Sequence, residues 1–307
     1  MTGKQRLLQT LRFEEPDRPP HFEVMFELEE EAFGLQFPDR HSWGGMSPAE
    51  KDQAIGRCMD IYGRIVARFG WDGLCVFWPW SDPDGVAAAK RTFGEDLLIG
   101  SPVGRSVWAI ESVDDWMQFA ADLVERPEAI HAEAEARCAT ALEKIDALLD
   151  ARADFIFLAN DVAFNSGPFI QPRQFAEFVT PYLARQVAHI RERGGLAFVH
   201  SDGNLMPILD QLVSVEPHVL HSIDPMAGMD IAEVKRRTCG RVALMGNVQC
   251  SLLQDGPPEA IRASARYCLQ HGAPGGGYVF STSNTIFPGM PLENYETMLS
   301  VLYDTAS

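Results

Sequence analysis

Residues 194–204 read GGLAFVHSDGN, which is a glycine turn, a short apolar run and then a polar block that begins at His200. The run Leu196–Val199 is apolar at every position rather than at alternate ones. Such a run is typical of a parallel strand that helices cover on both faces. This stretch therefore predicts one buried strand of an α/β fold, with polar side chains directly at its carboxyl end.

Helical spacing precedes and separates the apolar runs. Apolar residues recur three or four positions apart from Ile55 to Phe69, and Gly70 then provides a helix stop. The same spacing runs from Phe175 to Ile190, where Pro181 forces a kink or a fresh helix start. Alternation of helix and strand is the pattern of a parallel α/β protein.

Eight apolar runs of this kind predict eight strands, and eight strand–helix repeats close into a (β/α)8 barrel, also called a TIM barrel. An open doubly wound sheet is the alternative. We expect residues 1–307 to form a single domain, with residues 1–20 as a helical extension that packs on the barrel. The third strand is the least certain, since residues 93–110 also suit an inserted hairpin. The predicted strands are His21–Phe26, Asp72–Trp78, Arg105–Ile110, Asp154–Ala159, Leu196–His200, Val219–Ile223, Arg241–Met245 and Gly277–Ser281.

Composition excludes several classes of partner. The 307 residues include 26 Lys and Arg against 43 Asp and Glu, which gives a net charge of −17. Such a surface repels nucleic acid and anionic membranes, so we expect a small-molecule substrate instead. Since no apolar run is long enough for a membrane helix and the N-terminus lacks the apolar core of a signal peptide, we expect a cytoplasmic protein, for which a homodimer is compatible. The six cysteines include no C-x-x-C pair, which predicts reduced and mostly buried thiols.

Polar residues cluster where the predicted strands end, and in a (β/α)8 barrel the active site lies at those ends. We predict His200, Asp161 and Asp202 as catalytic residues, with His200 and Asp202 also as candidate metal ligands. Each acid or amide also suits a helix cap, and a strand-end histidine also suits a core position. His221 alternates with Leu220 and is expected to face the helix layer. The predicted substrate-binding residues are Glu23, Trp78, Trp80, Asn160, Phe164, Asp224, Asn247, Asn284 and Phe287.

No lysine or arginine occurs at the predicted strand ends. A substrate with several carboxylates or phosphates needs such cations for charge-assisted hydrogen bonds, so the site suits a neutral or aromatic substrate. The glycines at 275–277 precede their strand, whereas a dinucleotide fingerprint follows one. They predict a tight turn, and no nucleotide cofactor is expected.

Five segments of the chain resemble the uroporphyrinogen decarboxylase superfamily, and together they extend from about residue 1 to residue 300. The resemblance implies a (β/α)8 barrel and one of two activities: decarboxylation of uroporphyrinogen, or methyl transfer that involves a corrinoid protein. The segments are Arg6-x5-Arg12-Phe13-x2-Pro16-Asp17-Arg18-x-Pro20, His200–Asn204, Ile223–Asp230, Leu244–Asn247 and Pro274–Asn284.

Two departures from the family patterns favour methyl transfer without a thiol-type zinc site. The decarboxylases carry an arginine-rich segment after the first strand, where this chain has Glu27-Leu-Glu-Glu-Glu31. The thiol-using methyltransferases bind zinc through a His-x-Cys-Gly block, where this chain has His200-Ser-Asp-Gly203. A zinc site of His200 with carboxylates is still compatible with the chain.

The resemblance thus implies a corrinoid-linked methyltransferase, with the corrinoid on a partner protein, that demethylates a small and aromatic or neutral substrate. Trp78, Trp80, Phe164 and Phe287 would line an apolar wall for it. Two alternatives stay open. One is a decarboxylase, for which loop arginines such as Arg91, Arg105 or Arg173 would have to reach the mouth. The other is a non-catalytic subunit that binds a small molecule or a corrinoid protein.

Overall fold

The computed structural model describes residues 1–39, 41–79, 82–238 and 240–304. The strands in this part are β1 (Gly73–Cys75), β2 (Leu98–Gly104), β3 (Phe155–Ala159), β4 (Ala163–Phe164), β5 (Gly167–Pro168), β6 (Leu196–His200), β7 (Val219–Ser222), β8 (Ala243–Val248) and β9 (Tyr278–Thr282). The helices are α1 (Gly3–Leu11), α2 (Glu29–Phe33), α3 (Pro48–Phe69), α4 (Pro83–Phe93), α5 (Trp116–Glu125), α6 (Pro127–Asp150), α7 (Pro172–Phe178), α8 (Thr180–Glu192), α9 (Leu209–Ser214), α10 (Ile231–Thr238), α11 (Cys250–Asp255), α12 (Pro258–Gly272) and α13 (Leu292–Asp304).

Seven of the strands form one sheet in the order β1-β2-β3-β6-β7-β8-β9, and every neighbouring pair is parallel. The order follows the chain, and helices lie between successive strands. The short strands β4 and β5 form a separate antiparallel hairpin just after β3. This architecture is TIM-barrel-like and confirms the predicted fold class, because the parallel strands follow one another in chain order and the sheet is curved.

The extended segment at residues 21–26 lies between β9 and β1 and takes the place of the first predicted strand. His21 forms a parallel bridge with Phe280 of β9, and Phe26 forms another with Ile286. On the other side, the backbone N–H of Asp72 donates to the carbonyl of His21 at 2.7 Å. The segment thus joins the two edges of the seven-stranded sheet, through isolated bridges instead of a regular ladder.

The third predicted strand, Arg105–Ile110, is wrong. The strand is β2, which lies just before it and pairs with both β1 and β3. Gly100 and Pro102 within β2 are residues that usually interrupt strands, so the pattern suggested a turn there. The structure requires glycine at 100, because a Cβ atom would lie 2.4 Å from the ring and the carbonyl oxygen of Phe155.

Local signals set the ends of several helices. α3 begins at a capping box formed by Ser47 and Glu50 and ends at Gly70, whose φ of 66° is left-handed. The predicted break near Pro181 is confirmed, since α7 ends before Val179 and α8 begins at Thr180 with the proline in its first turn.

Helix α1 crosses the amino-terminal end of the sheet. The carbonyl of Thr10 accepts from the backbone N–H of Gly277, which precedes β9. Arg6 and Arg18 both bind the buried carboxylate of Asp72, which precedes β1. This end is therefore closed by the N-terminal segment, and the carboxyl ends of the strands remain for a site.

Gly275, Gly276 and Gly277 form the predicted tight turn into β9. All three have left-handed φ angles between 65° and 77°. A Cβ atom at 276 would also lie 2.7 Å from the backbone of Glu14, so glycine is required there for space as well as for conformation.

Two further expectations concern the thiols and membranes. Cys58, Cys75, Cys138, Cys250 and Cys268 are free and buried, and the sixth cysteine lies outside the described residues. Within the described ranges, no helix has both the length and the apolar character that crossing a lipid bilayer would need.

Candidate active site

The carboxyl ends of β3 and β6 bring Asp161, His200 and Asp202 together. Ala159 pairs with His200 in the parallel register, so the residues after β3 lie beside those after β6. The backbone N–H of Asp202 donates to Oδ1 of Asp161 at 3.0 Å, and Nε2 of His200 lies 3.6 Å from the same oxygen. One nitrogen or oxygen atom from each of the three side chains lies within 4.8 Å of the others. We call these three residues the His200 cluster.

The His200 ring is held on two sides. One face stacks on Phe157, with 5.4 Å between ring centroids and 25° between planes. Its Nδ1 lies 2.8 Å from Nδ1 of His221, within hydrogen-bond distance. The side chain is 12% exposed, and Nε2 is the nitrogen that faces Asp161. The ring therefore presents one nitrogen to the cluster while the other is bound to the protein.

Asp202 has one bound and one unpartnered oxygen. Its Oδ2 accepts from the side-chain amide of Asn284, so these two predicted site residues meet. Its Oδ1 is buried and has no hydrogen-bond partner among the described residues. Burial raises the pKa of this carboxyl group, and the nearby His200 opposes that rise. An unpartnered buried carboxylate oxygen is costly unless a ligand satisfies it.

His221 belongs to the site, contrary to the expectation that it faces the helix layer. It pairs with His200 in the register of β6 and β7, and its ring meets Phe157 edge-on at 5.5 Å. It is fully buried, and burial followed by the nearby His200 lowers its pKa well below the ordinary value. The sequence signal for this was the position of His221 on the strand that follows the His200 strand, because paired residues of adjacent parallel strands point to the same side of the sheet.

Glu23 lies inside the barrel, bound to β9. Its carboxylate accepts from the hydroxyl of Ser281 at 2.9 Å and from the hydroxyl and backbone N–H of Thr282 at 2.8 and 3.1 Å. The side chain is fully buried, and this burial raises its pKa to about 7, against the opposing effect of those hydrogen bonds. Glu23 is therefore a titratable group below the mouth whose charge changes near neutral pH.

The side-chain amides of Asn160 and Asn247, which were predicted to bind substrate, both form hydrogen bonds within the protein. Asn160 accepts from the N–H of Ser106 and donates to its hydroxyl, both at 2.9 Å. Asn247 donates to the carbonyl of Ile223 at 2.7 Å and accepts from the thiol of Cys268 at 3.2 Å. Both amides are buried and hold strand-end loops in place.

Asp224 acts as a cap. Its carboxylate accepts from the N–H of Met226 at 2.9 Å, at the start of the short 3-10 helix Pro225–Ala227. Burial raises its pKa, opposed by hydrogen bonds from Met226 and Gly203. The contact with Gly203 ties the end of β7 to the loop after β6, which carries Asp202.

The predicted aromatic residues have separate surroundings. Phe164, on β4, is 44% exposed and lies 5.8 Å from Trp116. The backbone N–H of Trp78 donates to the hydroxyl of Tyr62 at 2.8 Å, and Phe287 is half-buried against the core. Trp80 lies outside the described residues. The apolar wall that these residues and Trp80 would line stays a prediction.

Cations are scarce around the cluster. Within the described part of the chain, no lysine or arginine forms an ion pair with Asp161, Asp202 or Asp224. The three arginines proposed for a decarboxylase are all exposed; Arg91 lies on α4 and Arg173 on α7, whereas Arg105 directly follows β2 and so corrects the expectation that no cation occurs at a strand end. The site therefore carries carboxylates and imidazoles and offers no fixed positive partner for a polyanionic substrate.

The His200 cluster fits a hard divalent cation. The distance of 3.6 Å from Nε2 of His200 to Oδ1 of Asp161 is too long for a hydrogen bond and leaves room for an atom that both contact. The unpartnered Oδ1 of Asp202 offers a third ligand atom. The three candidate ligands are therefore one imidazole nitrogen and two carboxylate oxygens, and none is a thiolate. One imidazole with two carboxylates suits Zn2+ or a harder ion more than it suits a thiophilic one.

Comparisons with known proteins place the fold and the family. The family model described as uroporphyrinogen decarboxylase (URO-D) matches residues 98–304. The uroporphyrinogen decarboxylase of Azoarcus sp. (strain BH72) is 27% identical over 234 residues, which cover 72% of this chain and 62% of that protein. That of Ralstonia pickettii (strain 12J) is 28% identical over 244 residues, which cover 72% and 61%. The chain thus spans about three fifths of the length of these relatives.

A solved structure matches the whole chain. A methyltransferase from Methanosarcina mazei superposes with a TM-score of 0.78 and covers 100% of both chains, at 17% sequence identity. At this identity the similarity shows the fold alone, and the fold it shows is the one described above.

Proposed function

We propose that this chain, which belongs to the uroporphyrinogen decarboxylase (URO-D) family, is a methyltransferase that removes a methyl group from a small neutral or aromatic substrate. A corrinoid on a partner protein would accept the methyl group. The observation that carries the proposal is the His200 cluster, an imidazole with two carboxylates and no lysine or arginine paired to them among the described residues. Such a site stabilises a leaving group through a proton and does not neutralise many carboxylates.

Demethylation of an ether breaks the bond between the methyl carbon and oxygen, and the bonding electrons stay on oxygen. That oxygen is a poor leaving group unless it receives a proton. His200 faces the cluster with Nε2, and the carboxylate of Asp161, 3.6 Å from that atom, stabilises a positive charge on the ring. In this role, with no cation on Nε2, His200 donates the proton to the departing oxygen; a cation bound there would take the place of that proton.

Asp202 and Asn284 form the second half of the site. Asn284 holds one carboxylate oxygen of Asp202, which leaves Oδ1 for a substrate hydroxyl or for a metal ligand bond. Asp161, His200 and Asp202 would together hold a divalent cation such as Zn2+, which when bound would polarise the oxygen of the substrate. Burial raises the pKa of Asp202, so this carboxyl group holds a proton more strongly than an exposed aspartate does.

Decarboxylation of a porphyrinogen is the second candidate, since the curated relatives are named uroporphyrinogen decarboxylases. That reaction needs recognition of several substrate carboxylates. Among the described residues, none of the arginines Arg91, Arg105 and Arg173 forms an ion pair with the carboxylates of the His200 cluster, although Arg105 directly follows the carboxyl end of β2. The site favours methyl transfer on this ground.

Metal content tests the cation part of the proposal. Protein purified without a chelator is analysed for zinc and other divalent metals beside His200→Ala and the control His189→Ala, whose ring binds Asp146 on the outer helices. We expect about one ion per chain in the wild type and in the control, and loss of the ion in His200→Ala. If neither the wild type nor the control holds a metal, the proton-donor role of His200 stands without a cation.

A turnover assay separates the reaction classes. The full chain is mixed with reduced free cobalamin and a panel of methoxy-substituted aromatic compounds, and methylcobalamin is followed by absorbance, beside Asp161→Asn and His189→Ala. We expect turnover in the wild type and the control and a large loss in Asp161→Asn. Decarboxylation of uroporphyrinogen by the same preparation, with no methyl transfer, would contradict the proposal. Tight binding of a panel compound without turnover of either kind would indicate a non-catalytic subunit.

A further inference from the structure

His200 and His221 share one hydrogen bond between like atoms. They are directly paired residues on the adjacent strands β6 and β7, and their Nδ1 atoms lie 2.8 Å apart. A hydrogen bond needs one N–H and one lone pair, so the two Nδ1 atoms carry a single proton between them. Whichever ring donates that proton has a bare Nε2 when neutral, and the other ring then carries its own proton on Nε2.

The surroundings of His221 decide which ring donates. His221 is fully buried, and its Nε2 has no hydrogen-bond partner among the described residues. Its neighbours are the edge of Phe157 and the ring of His200, and no carboxylate contacts it in that part of the chain. A proton on Nε2 of His221 would be a buried hydrogen-bond donor without an acceptor. Native structures avoid such a buried donor more strictly than they avoid a buried acceptor atom that receives no hydrogen bond.

His200 has the opposite surroundings. Its Nε2 faces Oδ1 of Asp161, and the carboxylate of Asp202 lies in the same cluster. A proton on this nitrogen points toward acceptors and toward the mouth. Both rings are therefore satisfied best when His221 donates from Nδ1 and His200 accepts at Nδ1.

We propose that His221 is a positioning residue that fixes the tautomer of His200, so that the proton of His200 lies on Nε2 and is directed into the site. The inference rests on the proposed function only in one respect, namely that His200 donates this proton to the leaving oxygen. It also assigns a cost to cation binding. A cation at Nε2 of His200 requires the shared proton to move to His200, and His221 must then carry its proton on the unpartnered Nε2.

Nitrogen-15 NMR of the protein, freed of metal ions with a chelator, tests this without any substrate. The full chain is labelled with 15N-histidine, and long-range proton–nitrogen spectra are recorded at a pH where both rings are neutral, with His200→Gln used to assign the signals. We expect His200 to be protonated on Nε2 and His221 on Nδ1. The reverse pair of tautomers would overturn the proposal, whether or not methyl transfer is found.

A variant tests whether His221 is the cause. His221→Phe keeps an aromatic ring but offers no Nδ1 donor, and His189→Gln serves as the control on an outer helix. We expect His200 to show a mixture of tautomers in His221→Phe and a single one in the control. A pure Nε2 tautomer in the folded His221→Phe protein would show that His221 is not required. Should that variant fail to fold, the wild-type spectrum still decides. Addition of Zn2+ to the wild type is expected to move the His221 proton from Nδ1 to Nε2 if the cation binds His200.

Discussion

Glu23 makes the stability of the protein fall as the pH rises from about 4.5 to about 7. Its carboxyl group is fully buried against β9, and its pKa rises from an ordinary 4.5 to about 7 in the folded state. A carboxyl group whose folded pKa is raised binds a proton more tightly in the folded chain than in the unfolded one. Its contribution is therefore neutral below the unfolded pKa, and it destabilises increasingly from there up to about pH 7.

The size of the effect follows from the shift. The rise from 4.5 to about 7, at about 1.4 kcal/mol for each pH unit, gives about 3 kcal/mol when the group is fully ionised. Between pH 5 and pH 8 the free energy of unfolding should fall by about 2–3 kcal/mol from this residue alone. Other groups also titrate, so the difference between the wild type and a Glu23→Gln variant isolates it.

The assay is urea unfolding of the wild type, Glu23→Gln and the exposed control Glu31→Gln at pH 5, 6, 7 and 8. The glutamine amide faces the donors of Ser281 and Thr282, and this mismatch shifts its stability by a similar amount at every pH. We expect the wild type to lose about 2–3 kcal/mol relative to Glu23→Gln across the range, and Glu31→Gln to follow the wild type. A difference between wild type and Glu23→Gln that stays constant with pH would refute the reasoning. A difference that grows in favour of the wild type would show that the hydrogen bonds of β9 outweigh burial.

Two further predictions concern the barrel itself, and urea unfolding measures both. Gly100→Ala should lose about 2–3 kcal/mol of stability, because its Cβ atom would lie 2.4 Å from Phe155, whereas Gly45→Ala, in open space, should lose less than 1 kcal/mol; equal midpoints for the two variants would contradict this packing. Asp72→Asn should lose about 3 kcal/mol or more, because it removes the buried carboxylate that binds both Arg6 and Arg18, while Arg6 keeps only its second partner, Asp17. A variant as stable as the wild type would show that the ion pair does not anchor α1.

Local pattern was sufficient for most of the fold. The apolar runs at β3 and β6 are uninterrupted, so burial on both faces could be read from residue type alone. The strand β2 was missed because Gly100 is there for the ring of Phe155, which lies 55 positions further along the chain. A requirement set by a distant side chain leaves the same local pattern as a turn.

The same division holds for the candidate site. The polarity of parallel strands places Asp161, His200 and Asp202 at one mouth, and that rule needs no knowledge of partners. Whether a polar side chain can still bind a ligand depends on hydrogen bonds to residues that are distant in the chain. Asn160 follows β3 as Asp161 does, but its amide is hydrogen-bonded to Ser106.

The sequence thus determined the alternation of strand and helix, the acidic surface and the polar residues that follow β3 and β6, because composition and periodicity are local properties. Only the tertiary structure decided that Asn284 holds Asp202 from 82 positions away and that His221 shares a proton with His200. Hydrogen bonds depend on distances of a few tenths of an ångström between groups remote in the chain, and residue order does not specify those distances.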